Sequence, residues 1–160
     1  MLIFTPAVAK ELTVCEVLAN LSHLRGKKIE VRGVWTATDH GATLSPSQND
    51  GCPQKLRSKS IVWPEGIVLV QEQGANLMSM AWFEMVLKQK QPKKGDVVVV
   101  TFTGVLEARW PLEAAYSRDG KLHPYGFGHL NTMPAQLRFT DIKRPLVRKS
   151  GQQVKTRKSP

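Results

Sequence analysis

The chain has 160 residues, 41% of them hydrophobic, and a formal net charge of +10. That length and apolar content suffice for one domain with a real core and argue against global disorder. No apolar run approaches the roughly 20 residues that a membrane-spanning helix needs.

Residues 1–12 form an N-terminal segment. Ala7, Val8 and Ala9, followed by Lys10, match the small-residue pattern at which exported chains are cleaved, although no basic stretch precedes them. Either the segment is the remnant of a signal peptide or the match is accidental; the remnant is the expectation.

A helix is predicted over 14–25. Thr13 is a natural N-cap with Glu16 three residues on, the capping-box pattern, and Leu12 with Val17 can staple the first turn. Val14, Val17, Leu18 and Leu21 recur as one buried face, and Gly26 stops the helix after Arg25. Residues 28–36 alternate as a half-buried strand, with Ile29, Val31 and Trp35 on one face and Glu30 and Arg32 on the other. Gly33 within it marks a bulge or a bend. Asp39, His40 and Gly41 read as a turn, 42–45 as the returning strand, and 46–60 as a polar loop that carries Cys52. Residues 66–70 predict a short, fully buried strand.

The period changes over 75–90. Leu77, Met78, Ala81, Trp82, Met85 and Val86 fit one helical face, with Lys88 and Lys90 at its C-terminal end and Trp82 packing the helix on the barrel end. A long strand follows from Asp96 to Arg109, apolar on both faces at 97–100 and holding a second mid-strand glycine, Gly104. Trp35 and Phe102 are expected in the core. A loop covers 111–134, and the last strand runs over 135–142.

That loop and its margins hold the candidate binding surface. Trp110, Tyr116, Tyr125 and Phe127 cluster there, with Arg109 and Arg118 among them and Arg32 and Arg138 able to join. Gly126 and Gly128 allow positive φ or close backbone approach, and Pro134 removes a donor, so His129 and Asn131 can be held in one orientation. The candidate ligand-binding residues are Trp110, Tyr116, Tyr125, Phe127, His129 and Asn131. The competing reading is a loop that only turns the chain.

Residues 143–160 hold seven cations and no acid: Lys143, Arg144, Arg148, Lys149, Lys155, Arg157 and Lys158. The rest of the chain, 16 Lys and Arg against 13 Asp and Glu, is close to balanced. A domain over 13–142 followed by a basic, disordered tail over 143–160 is the expectation, with any nucleic-acid affinity centred on the tail.

The predicted order gives a mainly β fold. Five strands, a helix before the first and a capping helix between the third and fourth describe an OB-like β-barrel. The layout resembles OB-fold domains of the nucleic-acid-binding type. Thr13 to Leu18, then Val31-Arg32-Gly33, then Gly126 to Asn131 with Pro134-Ala135-Gln136-Leu137, are similar to a narrower group of proteins. Its members are small, uncharacterised, often exported bacterial OB-like proteins sharing a Gly-His-Leu-Asn-x-x-Pro-Ala-Gln-Leu motif. The resemblance covers 12–142, and only the last motif is specific. It implies the barrel and a periplasmic or secreted location, with the cytoplasm as alternative, and it supplies no reaction. Together with the Ala7–Ala9 pattern, it implies that Cys15 and Cys52 form a disulfide tying the first helix to the 46–60 loop.

Motifs for catalysis are weak. His123 and His129 match no standard zinc spacing, and His23 and His40 add no ligand pattern. The chain has neither a nucleophile elbow nor a phosphate-binding glycine loop. Cys15 with His129 could form a nucleophilic pair, but the disulfide is the stronger reading. The expectation is a non-catalytic binding or adaptor module without cofactor or metal, taking an unknown protein or polymer ligand. The alternative is a single-stranded nucleic-acid-binding protein that uses the barrel face plus the tail. A small hydrolase or redox protein comes third.

Overall fold

The computed structural model describes residues 10–47 and 51–149. In chain order the elements are β1 (Glu11–Thr13), α1 (Val14–Ala19), α2 (Leu21–Leu24), β2 (Lys28–Thr38), β3 (Gly41–Ser45), β4 (Arg57–Ser58) and β5 (Ile61–Val62). They continue with β6 (Ile67–Gln71), α3 (Leu77–Lys90), β7 (Val97–Ala108), β8 (Glu113–Tyr116), β9 (Leu122–Tyr125) and β10 (Ala135–Arg148). The protein is mainly β. Six strands form one mixed sheet in the order β1-β2-β3-β6-β10-β7, and β4–β5 and β8–β9 are separate two-stranded pairs. β1 runs parallel to β2 and β6 parallel to β10; the other contacts are antiparallel. β7 also pairs with β2, so the run of pairings that leaves β2 through β3 returns to it.

Ten strands occur among the described residues where the sequence predicts five. The five expected strands are β2, β3, β6, β7 and β10. The additional ones are two to four residues long and lie in stretches expected to be loop or N-terminal segment. β6 is half-buried, not fully buried: Ile67 and Leu69 face the core while Val70 is exposed.

The two mid-strand glycines serve close approach. β2 hands over from β7 to β3 around Gly33 without a break in register. A Cβ there would lie 2.7 Å from Val14 Cγ2 and 2.8 Å from the Ser45 carbonyl oxygen. Glycine therefore lets α1 and β3 press onto the strand, and of the bulge or bend expected there no bulge forms. A true register shift sits in β10 between Phe139 and Asp141, opposite Gly104. A Cβ on Gly104 would overlap the Arg138 carbonyl oxygen, so the irregular strand needs the glycine facing it.

The expected first helix is two short helices. Its capping box forms: the Glu16 N–H donates to Thr13 Oγ1 at 3.2 Å, and the Thr13 N–H donates to Glu16 Oε2 at 2.8 Å. Asn20 then leaves the helical region (φ −127, ψ 27), its side-chain amide donating to the Glu16 carbonyl. Local competition of this kind is why Asn breaks helices. Val14, Val17, Leu18 and Leu21 are all buried as read. The Cys15–Cys52 disulfide, Cα to Cα 5.3 Å, ties α1 to the segment after residue 50.

In α3 the buried face is the opposite of the one expected. Phe83 is 5% exposed, and Met80 and Leu87 pack with it against the core. Leu77 and Met78 are 72% and 80% exposed, and Trp82, expected to seat the helix, is 41% exposed. Asn76 caps the helix, with Oδ1 accepting from the Met78 and Ser79 N–H groups. Its side-chain amide donates to Asp141 Oδ1, and the Ile142 N–H donates to Ser79 Oγ at 3.2 Å. These ties to β10 fix the rotation. Beneath the helix, Phe83 meets Trp35 and Phe102 edge-on at 5.2 Å and 6.3 Å, and Phe102 meets Phe139 at 4.9 Å. Phe102 is core as expected, while Trp35 is half-buried against Phe83.

β10 extends six residues past the expected domain boundary at 142. Lys143 and Arg144 are therefore strand residues, paired with Glu30 and Glu11 respectively. Arg148 ends the strand, and Lys149 bonds Asp96 at 3.0 Å. The body therefore claims four of the seven supposed tail cations. Lys155, Arg157 and Lys158, like residues 1–9, lie outside the described residues.

Candidate functional loop surface

The stretch from Arg109 to Pro134 is two structures rather than one loop. The first is the β8–β9 hairpin. Its tip is closed by the Ser117 N–H donating to the Lys121 carbonyl and by Asp119 accepting from Ser117 Oγ and the Lys121 N–H. Those bonds, the hydroxyl's first, hold the Asp119 carboxyl below its ordinary range. Tyr116 sits beside the tip, 72% exposed, and Arg118 lies on the turn. Trp110 precedes the hairpin with its ring exposed, and its carbonyl accepts from Arg25 Nη1 at 3.3 Å.

The second structure is a tight turn over 126–133. Phe127 and Met133 exchange both backbone hydrogen bonds, at 2.8 and 3.1 Å, and the Asn131 N–H donates to the Gly128 carbonyl at 3.0 Å. The Gly126 N–H donates to the Asn131 carbonyl. Asn131 takes the left-handed conformation at φ 53, which its short polar side chain tolerates. Its observed part is thus in the backbone of the turn. Gly126 is demanded by sterics: a Cβ would overlap the Met133 carbonyl oxygen and lie 2.9 Å from Trp63 Cζ3. Trp63 is wholly buried beneath this turn.

The turn meets the β2–β3 turn through a histidine pair. The His129 and His40 rings stack with centroids 4.2 Å apart and planes within 10°. Between the two turns lies a cleft of about 190 Å³, lined by Thr38, His40, Val68, Phe127, His129 and Met133 among others. Beside it the Arg109 guanidinium covers the Tyr125 ring at 4.2 Å and approaches Phe127 at 5.7 Å. Contacts of this kind contribute about 0.5–1 kcal/mol at exposed sites. Arg109 Nε is buried without a hydrogen-bond partner among the described residues.

Of the six candidate residues, Phe127 and His129 line this cleft, and Tyr125 stands next to it under Arg109. Asn131 builds the turn, and Tyr116 stands apart at the hairpin tip. Arg32 and Arg138 are committed elsewhere, Arg32 to Thr101 and the Arg144 carbonyl, Arg138 to Glu72 and Glu107. His40 was legible only as a turn residue, because its partner lies at the far end of the chain and no local spacing links them.

Trp63, under Gly126 of the turn, belongs to the 51–65 segment, which Glu65 organises. Its carboxylate pairs with Lys55 and accepts from the Cys52 N–H at 3.0 Å. The Lys55 hydrogen bond, aided by the Cys52 N–H and opposed by desolvation, holds Glu65 below the usual carboxylate range. Among the described residues no three His, Cys, Asp or Glu side chains converge as a metal site, and no helix is long and apolar enough to cross a membrane. No protein-family model, curated protein or solved structure matches this chain.

Proposed function

We propose that the chain is a non-catalytic binding or adaptor module built on an OB-like barrel, which takes a polymer or protein ligand at the cleft between the two turns. One observation carries this reading. The turn between β2 and β3 and the turn before β10 belong to strands whose pairings return on themselves, and they meet at one edge through His40 and His129. OB-type barrels present a sheet face and its flanking loops to oligonucleotides and oligosaccharides, so a cleft framed by two such loops is where a ligand belongs. The parallel β6–β10 contact and α3 between β6 and β7 support the same architecture. The resemblance to small exported bacterial OB-like proteins adds a periplasmic or secreted location, which the Cys15–Cys52 bond supports.

Fluorescence anisotropy against labelled single-stranded DNA, RNA and glycans tests the reading, with His129→Ala and Tyr125→Ala as site variants. Saturable binding lost in both supports the cleft. Binding unaffected by either removes it.

A second reading, single-stranded nucleic acid, is favoured by exposed Tyr125 and Trp110 flanking Arg109, since bases stack on such rings and guanidinium planes. Deleting 150–160 leaves β10 whole and asks whether the last three cations contribute. Each phosphate neutralised adds a slope of about −0.7 in log K against log salt. An unchanged slope after that deletion places phosphate contacts on the body.

A further inference from the structure

We infer that α3 docks this protein onto an anionic lipid surface, through a face unrelated to the cleft. α3 carries two apolar stripes. Met80, Phe83 and Leu87 face the sheet. Leu77, Met78, Ala81, Trp82 and Met85 follow a second i, i+1, i+4, i+5, i+8 spacing and point outward, every one exposed. An exposed helical stripe of leucine, methionine and tryptophan is a costly arrangement in water and marks a surface for another apolar phase.

Charge selects the occupant. The single acid of α3, Glu84, is exposed at the border between the stripe and the crevice, four residues before Lys88. The stripe ends on Lys88, with Lys90 in the same last turn of the helix and exposed Lys93 and Lys94 just beyond it. The end of β10 arrives at the same place: Lys149 Nζ donates to the Lys90 carbonyl at 3.1 Å, while its charge is paired with Asp96. Lys88, Lys90, Lys93 and Lys94 thus gather at the C-terminal end of an apolar stripe, with the Lys149–Asp96 pair beside them. A helix with Trp, Leu and Met on one face and lysines beside it lies in the plane of a membrane interface, and each nearby cation strengthens attraction to anionic headgroups. Nucleic acid would satisfy the lysines but would offer nothing to Leu77, Met78 and Met85.

Co-sedimentation of the full chain with vesicles tests the inference, comparing phosphatidylcholine alone with an equal mixture of phosphatidylcholine and phosphatidylglycerol. The expected result is binding to the mixed vesicles only, weakened by salt. Met78→Glu with Met85→Glu should reduce it by more than roughly tenfold. Lys88→Gln, Lys90→Gln and Lys93→Gln should each weaken it roughly fivefold. All these positions are exposed, and unchanged melting of the variants confirms their fold. Brominated lipid should quench wild-type tryptophan emission, and Trp82→Phe should abolish that quenching. Three results overturn the inference. In the first, the lysine variants lose binding while Met78→Glu with Met85→Glu does not, or single-stranded DNA captures the basic end regardless of the methionines. In the second, no vesicle binding occurs and Met78→Glu with Met85→Glu converts a dimer to a monomer, making a second copy the occupant. In the third, vesicles do not bind and no variant changes anything.

Discussion

The hairpin of β8 and β9 and the turn over 126–133 are neighbours in sequence and share aromatic, polar composition, yet they are built differently. The hairpin holds itself together at its tip through Ser117, Asp119 and Lys121, and Tyr116 projects into solvent. The turn is locked from several sides: by the Phe127–Met133 exchange, by Gly126 packed onto Trp63, and by His129 stacked on His40. A binding surface needs side chains whose positions are settled before the ligand arrives, because ordering them on binding subtracts from affinity. The turn meets that requirement and the hairpin tip does not.

The largest effect should come from the covalent tie between α1 and the segment that carries Trp63. Reducing or removing the Cys15–Cys52 bond, which spans 37 residues, should cost about 4 kcal/mol on the chain-entropy account. Denaturant unfolding of Cys15→Ser with Cys52→Ser reads it directly. Free-thiol titration of the unfolded native protein should find no reactive thiol.

Gly126→Ala should follow at about 3 kcal/mol, because its methyl must displace backbone and a buried ring. The companion change Gly120→Ala, at the hairpin tip, meets open space but sits at φ 76, so only backbone strain of about 1 kcal/mol opposes it. Equal losses in thermal melts of the two would erase the distinction between a locked turn and a free hairpin.

Acid should sharpen it further. Glu65 has its folded pKa depressed, so its contribution is present above the unfolded glutamate value and disappears as pH falls through the folded one. Stability should therefore decline below about pH 4.3, and Glu65→Gln should flatten that decline by less than about 1 kcal/mol. A steeper acid profile in Glu65→Gln would contradict the assignment. Smallest of all, Tyr116→Ala should change stability by less than about 0.5 kcal/mol, as for other exposed positions.

What was legible in the sequence follows the range of the interactions. The capping box of Thr13 and Glu16 and the buried row of Val14, Val17, Leu18 and Leu21 are local, and both stand where the residues put them. α3 was legible as a helix but not in its rotation. Both of its stripes are apolar, and the hydrogen bonds of Asn76 to Asp141 and of the Ile142 N–H to Ser79 decide between them. The tail was misjudged for a similar reason. Lys143 and Arg144 look like unpaired charge until Glu30 and Glu11, more than a hundred residues away, are brought beside them. The same distance hid His40. Loop composition pointed to the right stretch without separating the locked turn from the projecting hairpin.

The most direct test of a ligand site at the locked turn is one titration series by anisotropy, using the best ligand from the polymer screen and three variants: His129→Ala, Tyr125→Ala and Tyr116→Ala. The cleft account predicts that the first two weaken binding by roughly tenfold or more while costing no more than about 1 kcal/mol of stability. Tyr116→Ala should leave affinity within about twofold, since a contact worth much less than 1.4 kcal/mol cannot do more. Affinity lost in Tyr116→Ala but kept in His129→Ala and Tyr125→Ala would contradict it and move the site to the hairpin.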